Sequence, residues 1–394
     1  MTFLQQTHYF NKNLKFWLFL GIYPFEINSK LYKFYSKILF FVFIFLYDSL
    51  ITINFYFLPN DLNMIIDDMV FYFTLLSIIP KVLTYFIMKE DIRDILNFLN
   101  GEKFQPKNEK EIQIINAAKK FNEKYWKVVA ILSYSCNVIL LCTPVIHHLI
   151  TSVPLEFTIN GYFFLSEDFR RDYVYYIYFY QAIGALLNML YNMNIDSFFL
   201  GLLILVIAKI DILGEKLNSI TTNISDSDGM INRDIDEICI RKLNDCILHY
   251  NNISKFCLLV EKVFSVTLFV QFTVSSCTIC VSLYRLTLPS PPSYYLSLGS
   301  YLFIIIVQIF VPCYFGARIM DKSSQLSHAV YSCNWTSRSR RFKSSMRLFI
   351  ERSLRPHSIT GGKIFPLSLV TFTSIMNAAY SFFTLLENMQ SNET

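Results

Sequence analysis

The sequence predicts an all-helical integral membrane protein with seven spanning helices, its N-terminus cytoplasmic and its C-terminus extracellular. The first observation behind this is composition: 53% of the residues are hydrophobic, 17% are aromatic and only 16% are charged, which is too apolar for a soluble chain of this length. The second is that the apolar residues are gathered into runs near the ~20 residues of helix that cross a hydrocarbon core. The third is the placing of the basic residues. Thirty of the 35 Lys and Arg fall in the N-terminal segment and in the loops after spans two, four and six. Because Lys and Arg flanking short loops stay on the cytoplasmic side, those segments face inward.

Taken in order, the spans are expected at about 38–58, 70–88, 128–150, 173–208, 263–284, 294–319 and 364–386. The segment before span one carries Lys12, Lys15, Lys30, Lys33 and Lys37. Its apolar patch Phe16–Leu20 is too short for the core of a cleaved signal peptide, so span one acts as an uncleaved anchor. The loops after spans one, three and five hold only Arg170, Arg171 and Arg285 among basic residues and are otherwise acidic or neutral, which turns them outward. Span four is longer than one crossing needs and continues as a helix into the cytoplasm, and the cytoplasmic extension is shared by spans four to six. Between spans six and seven, Trp335 to His357 reads as an amphipathic helix with Phe342, Met346, Phe349, Ile350 and Leu354 on one face and a basic remainder. That face suits anionic headgroups of membrane lipid or a subunit interface equally. Gly361-Gly362 then breaks the chain before the last span. Two units follow: 1–320, holding the N-terminal segment and spans one to six, and 321–394, holding the amphipathic helix (about 335–357) and the seventh span with its outer continuation (about 364–388).

Several functions are disfavoured by what the chain lacks. No phosphate loop, zinc-ligand pair or nucleophile elbow is present, and His147-His148 has no carboxylate or Cys at metal-ligand spacing, so neither an enzyme nor a bound cofactor or metal is expected. The nine cysteines lie almost wholly in spans or inward loops, which implies no external disulfide framework, and Cys277 and Cys280 read as small hydrophobes one turn apart. The net charge of +5 is a topological signal and gives no reason to expect nucleic acid. A G-protein-coupled receptor would have its N-terminus outside and would put the basic loops on the wrong face. A transporter would show paired repeats and Gly/Pro-interrupted helices, which are not evident here. Asp48, Lys81, Asp196 and Lys262 are placed at or near interfaces, or in the inward run of span four, with structural roles.

The last span carries a stripe of small and polar residues: Thr371, Ser374, Ala378, Ser381, Leu385 and Asn388 recur at helical spacing. The opposite face is bulky, with Phe372, Ile375, Ala379, Phe382, Phe383 and Leu386. Two readings fit. Small residues favour close helix packing in membranes, and the same stripe fits a pore wall in which Leu385 is a hydrophobic constriction and Asn388 contacts passing ions.

Further motifs resemble a known family. Cys313-Tyr-Phe-Gly316, Ser323-Ser-Gln-Leu-Ser-His-Ala-Val-Tyr331, Trp335, Arg352-Ser-Leu-Arg-Pro356, Gly361-Gly-Lys-Ile-Phe-Pro-Leu-Ser-Leu369 and Ala379-Tyr-Ser-Phe-Phe-Thr-Leu-Leu386 are similar to the C-terminal pattern of insect odorant receptors. Gly21-Ile-Tyr-Pro24 is similar to that family's N-terminal turn. The resemblance implies an odorant-gated, non-selective channel for monovalent and divalent cations, with inverted topology, working as a tetramer with an obligate odorant co-receptor in the dendritic plasma membrane of olfactory neurons. This chain, lacking the co-receptor's extended loop after span four, looks like a tuning subunit. Carried over residue by residue, the gate falls on Leu385 and Met389 and the polar filter on Asn388, beside Ser381. The family places the site for a small volatile among spans two, three, four and six in the outer half of the membrane. The candidates are Phe71, Thr74, Leu75 and Ile78, then Val138, Leu141 and Cys142, then Tyr176, Phe179, Tyr180 and Ile183. A metabotropic seven-span chemoreceptor or a gustatory-type receptor is the alternative.

Overall fold

The computed structural model describes residues 6–27, 29–59, 62–155, 157, 159–222, 232–289, 292–333 and 335–393. Among them, seven helices are long and apolar enough to cross a membrane: Lys30–Phe57, Met64–Ile87, Glu109–Thr151, Val174–Ile220, Asp234–Thr287, Tyr294–Tyr331 and Leu369–Asn388, here spans one to seven. Spans three to six contain 43, 47, 54 and 38 residues. At a rise of ~1.5 Å per residue they are ~57–80 Å long, about twice the ~30 Å hydrocarbon thickness. All four therefore run on as a helical stem at one end of the bundle, span three included, where the sequence leads us to expect this of spans four to six. The reason is that hydropathy marks the lipid-bathed portion, whereas stem helices alternate polar and apolar faces and pack on one another.

Span four is the central helix. Phe198, Leu202, Leu203, Leu205, Val206, Leu213 and Leu217 are each fully buried, so this stretch of the helix is enclosed on every side. At the stem end the N-terminal helix Asn11–Leu20 is strapped across it: Asn13 Nδ2 donates to the Asn194 carbonyl (3.0 Å) and to Ser197 Oγ (2.8 Å), and Tyr191 Oη donates to the Leu20 carbonyl (2.6 Å). Trp17 inserts between Phe198 and Tyr85 with ring centroids 4.6 and 4.9 Å away. Gly21 ends that helix at φ 75°, and a Cβ there would meet Ser36 Cα at 2.8 Å, so the Gly-Ile-Tyr-Pro turn needs this glycine both for its backbone and for its packing.

Span one contains a π-helical turn at Phe41–Leu46. Widening the helix frees carbonyl groups, and span four meets them: Tyr180 Oη donates to Val42 O (2.9 Å) and Asn188 Nδ2 to Phe43 O (3.0 Å). The two spans touch closely at Gly184, where a Cβ would lie 2.2 Å from the Tyr47 ring.

The region before span seven departs from expectation. Thr360–Gly361 and Phe365–Pro366 pair as a minimal antiparallel hairpin through Gly362 (φ 61°) and Lys363 (φ 60°), so the last helix begins at Leu369 and not near residue 364. Gly362 N donates to Ser265 O (2.8 Å) and Thr360 N to Glu261 Oε1 (3.2 Å), fixing the hairpin to span five. The amphipathic helix is shorter than expected, Arg340–Ser353, capped by Ser339. Its apolar face is neither a lipid surface nor a free interface: Phe342, Met346 and Phe349 are buried against this same chain, Phe349 edge-on to Tyr250 of span five at 5.4 Å, while Leu354 is left exposed. All nine cysteines are unpaired, and of the Cys277/Cys280 pair only Cys280 is buried.

Candidate ligand site and pore helix

On span two, spacing of three, one and three puts Phe71, Thr74, Leu75 and Ile78 on one helical face. Phe71 and Thr74 meet Tyr301 of span six: the Phe71 and Tyr301 rings are 5.7 Å apart, the Tyr301 hydroxyl contacts Thr74 Oγ1, and it donates to Val70 O at 3.2 Å. Leu75 and Ile78 are buried deeper in the bundle. Tyr301 was missed from the sequence, where it is one aromatic among many; what marks it is its level on span six opposite Phe71.

Span three behaves differently. Its half away from the stem packs on span four, where Tyr178 Oη donates to the Leu141 carbonyl and His148 Nε2 lies 3.3 Å from Tyr175 Oη, but it makes at most marginal contact with span two. Val138 and Cys142 are exposed and Leu141 is half-buried.

The span-four candidates divide. Tyr180 is half-buried and turned toward span one, its ring 6.0 Å from Phe43 and 5.7 Å from Tyr47, and Ile183 packs beside it against the core. Tyr176 and Phe179 point away from that face and are 76% and 66% exposed on the single chain. The structure thus gathers Phe71, Thr74 and Tyr301 in one group and Tyr180, Ile183, Tyr47 and Phe43 in another, and brings Tyr176 and Phe179 into neither.

On span seven, Thr371, Ile375 and Ala379 are buried against the chain, with Phe372 and Met376 half-buried behind them. Ser374, Ala378, Ser381, Leu385 and Asn388 form a continuous exposed strip on the side turned away from spans five and six. Thr371, expected in the strip, is taken inward because its Oγ1 donates to Pro366 O (2.6 Å) at the hairpin. Ser374 and Ser381 donate to the carbonyls of Val370 and Asn377, which satisfies them within the helix. The Met389 side chain lies outside the described residues.

Two buried ionic clusters correct the expectation that the charged residues of the spans are interfacial. Lys81 is 0% exposed; its Nζ lies 2.6 Å from both Asp196 Oδ1 and Asn192 Oδ1, and Gln308 Nε2 donates to Asp196 Oδ2 (2.6 Å), so spans two, four and six share one polar knot. At the other end of the bundle Arg285 holds Asp67 through two nitrogens (2.6 and 3.3 Å) and stacks over Tyr294, joining spans two, five and six. Lys262 pairs with Asp91 at the surface. The partners are too far apart in sequence to be matched by spacing. Outside the spans, burial and the neighbouring Arg352 push the His357 imidazole down to about 4.

These features define a seven-span helical membrane protein whose last helix carries an exposed strip of small and polar residues. The family model described as 7tm Odorant receptor matches residues 61–380, and the chain belongs to that family. Among curated relatives it is 29% identical to Odorant receptor 2a of Drosophila melanogaster over 220 residues, which is 55% of each chain. It is 23% identical to Odorant receptor 94a of the same organism over 81% of this chain and 79% of the other. The chain thus spans about half the length of the first relative and four fifths of the second. The fold is similar to the insect olfactory receptor OR5 from Machilis hrabei in complex with eugenol, with a TM-score of 0.84 over 99% of this chain and 100% of the other at 18% identity. A second structure of the Machilis hrabei olfactory receptor OR5 aligns with a TM-score of 0.83 over 96% of this chain and 97% of the other.

Proposed function

We propose that this odorant receptor is a tuning subunit that binds a small volatile in the half of the bundle away from the stem and opens a non-selective cation pore together with an odorant co-receptor. The observation that carries the reading is span seven: Thr371, Ile375 and Ala379 are packed on its own chain, while Ser374, Ala378, Ser381, Leu385 and Asn388, with the bulky Phe382 and Leu386, are exposed. Packing of such helices around an axis gives a pore with Leu385 and Met389 as constriction and Asn388 as polar contact for ions. The stem is then cytoplasmic, consistent with its Lys and Arg content and with an N-terminus on the inner side of the plasma membrane of sensory dendrites.

The ligand site is built from Phe71, Thr74 and Tyr301 on one side and Tyr180 and Ile183 on the other, with Leu75 and Ile78 as floor and the open flank of span three, Val138, Leu141 and Cys142, as entry. Opening follows when the ligand binds better to the arrangement in which span seven is drawn from the axis, since only differential affinity shifts the equilibrium. The test is whole-cell current in cells expressing this chain with and without the co-receptor during an odorant panel. Fast cation current that needs both subunits supports the proposal. In that assay Tyr180→Ala shifts potency with ion selectivity unchanged, and Asn388→Ala does the reverse; a shift of potency alone by both variants refutes the pore assignment.

A further inference from the structure

The N-terminal helix Asn11–Leu20 lies beside the stemward part of span three and runs in the same direction. Tyr9 Oη, just before it, donates to the Ala118 carbonyl (3.2 Å), and further along both helices the Phe16 ring lies 5.5 Å from that of Trp126. Between them is a cleft of about 250 Å³ whose lining includes His8, Lys12, Asn122, Glu123 and Trp126. Lys12 Nζ stands 4.7 Å from the centre of the Trp126 ring. The apolar run of span three begins just after Trp126, which puts this half-buried indole at the bilayer boundary, where aromatic rings collect.

The walls of the cleft are basic. Lys15 follows Lys12 on the N-terminal helix, and Lys119 and Lys127 stand one turn to either side of Glu123 on span three. None of these four ammonium groups has an ion-pair partner among the described residues. Glu123 is the only carboxylate in residues 112–155, and residues 1–25 contain none, so the positive charge is not offset locally. On the membrane side of the lysines the surface turns apolar: Phe19 on the helix and Val128 and Ile131 on span three are all exposed. The pairing of Tyr9 with Ala118 and of Phe16 with Trp126 brings Phe19 level with that part of span three. A cationic cleft with an aromatic wall thus meets the lipid-facing surface at its outward end.

We infer that this cleft binds the headgroup of an anionic phospholipid, with the phosphate held between Lys12 and Lys127 beside Trp126 and the acyl chains laid over Phe19 and Ile131. A phosphate suits lysines that lack a counter-ion, because it takes charge-assisted hydrogen bonds from several donors at once. A choline headgroup would bring a quaternary ammonium among the lysines and forfeit the attraction. A soluble anion would leave Phe19 and Ile131 uncovered, whereas a lipid satisfies the charge and the apolar surface together. Bound there, the lipid fastens the N-terminal helix to span three, as Asn13 and Trp17 already fasten it to spans four and two. The inference is independent of the odorant site and needs only that a bilayer boundary fall at Trp126.

The test uses the purified full-length chain in nanodiscs of phosphatidylcholine, into which phosphatidylserine brominated on its acyl chains is introduced in increasing proportion. The readout is tryptophan fluorescence, since bromine quenches an indole that it touches. Trp126 stands at the cleft, whereas Trp17 is enclosed in the bundle and Trp335 follows the stem end of span six. Brominated phosphatidylserine is expected to reach half-maximal quenching at about one fifth or less of the mole fraction that brominated phosphatidylcholine needs. Trp126→Phe should remove the quenching. Lys12→Gln/Lys127→Gln should bring the two curves together, while Lys30→Gln/Lys33→Gln/Lys37→Gln, on the separate basic run of span one, should keep them apart. Coincident curves in the wild type overturn the inference, as does a Lys12→Gln/Lys127→Gln protein that keeps the preference, or a preference lost with the span-one lysines instead. If the double variant fails to fold, Lys127→Gln alone decides, because that side chain is exposed: the serine curve should move toward the choline curve, and an unmoved curve overturns the inference.

Discussion

Replacing Lys81 with Met removes the cation of the knot that joins spans two, four and six. Its Nζ is 0% exposed and holds Asp196 and Asn192 at 2.6 Å each, whereas the Asp196 side chain keeps 24% exposure and a second donor in Gln308. Breaking a buried pair by removing one partner costs ~3–5 kcal/mol, because the survivor is left uncompensated. The residual exposure of Asp196 and its bond to Gln308 place Lys81→Met at the lower end, ~3 kcal/mol. Asp196→Asn leaves an enclosed ammonium with a neutral partner and belongs at the upper end, ~5 kcal/mol. The double variant Lys81→Met/Asp196→Asn removes both charges and is expected within ~1 kcal/mol of wild type, since buried pairs replaced together are often neutral. The assay is apparent melting temperature of the detergent-solubilised chain by fluorescence-detected size exclusion. The expected order is Asp196→Asn lowest, then Lys81→Met, with the double variant close to wild type. A double variant as unstable as the sum of the singles refutes the reasoning, because the two residues would then act independently.

Gly316→Ala is expected to unseat the last span: a Cβ there would lie 2.4 Å from the Leu367 carbonyl oxygen, a backbone atom with little room to yield. The strain is ~1–3 kcal/mol, and the check is surface expression and proteolysis near residue 367. Arg285→Lys keeps the charge but loses the two-nitrogen grip on Asp67 and the stack on Tyr294; the melting temperature should fall, whereas a surface pair would show no change. The His357 imidazole, held near 4 in the folded chain against an ordinary value of about 6.5, is favoured neutral. Its contribution is therefore fully present above pH ~6.5 and lost as pH falls toward 4, amounting to ~1.4 kcal/mol by pH 5.5. His357→Gln should flatten that part of the pH–stability curve, and an unchanged slope would refute the assignment.

The sequence by itself determined the seven helices and their order, because each is a local property: an apolar run of sufficient length. The motifs around Gly316, Gly361 and Tyr380 pointed to the family for the same reason, since Gly316 is required where Leu367 crosses it and Gly362 where the chain turns at positive φ. Only the tertiary structure decided which charges meet. Lys81 and Asp196, or Arg285 and Asp67, are brought together by packing of distant helices, and no periodicity couples them. It also turned Tyr180 toward span one and left Tyr176 and Phe179 outside, because an aromatic-rich helix offers rings on several faces and its neighbours choose among them. Asp48 shows the limit most clearly: its position in an apolar run was visible in the sequence, but its burial with no hydrogen-bond partner for its carboxylate among the described residues was decided by the helices packed around it.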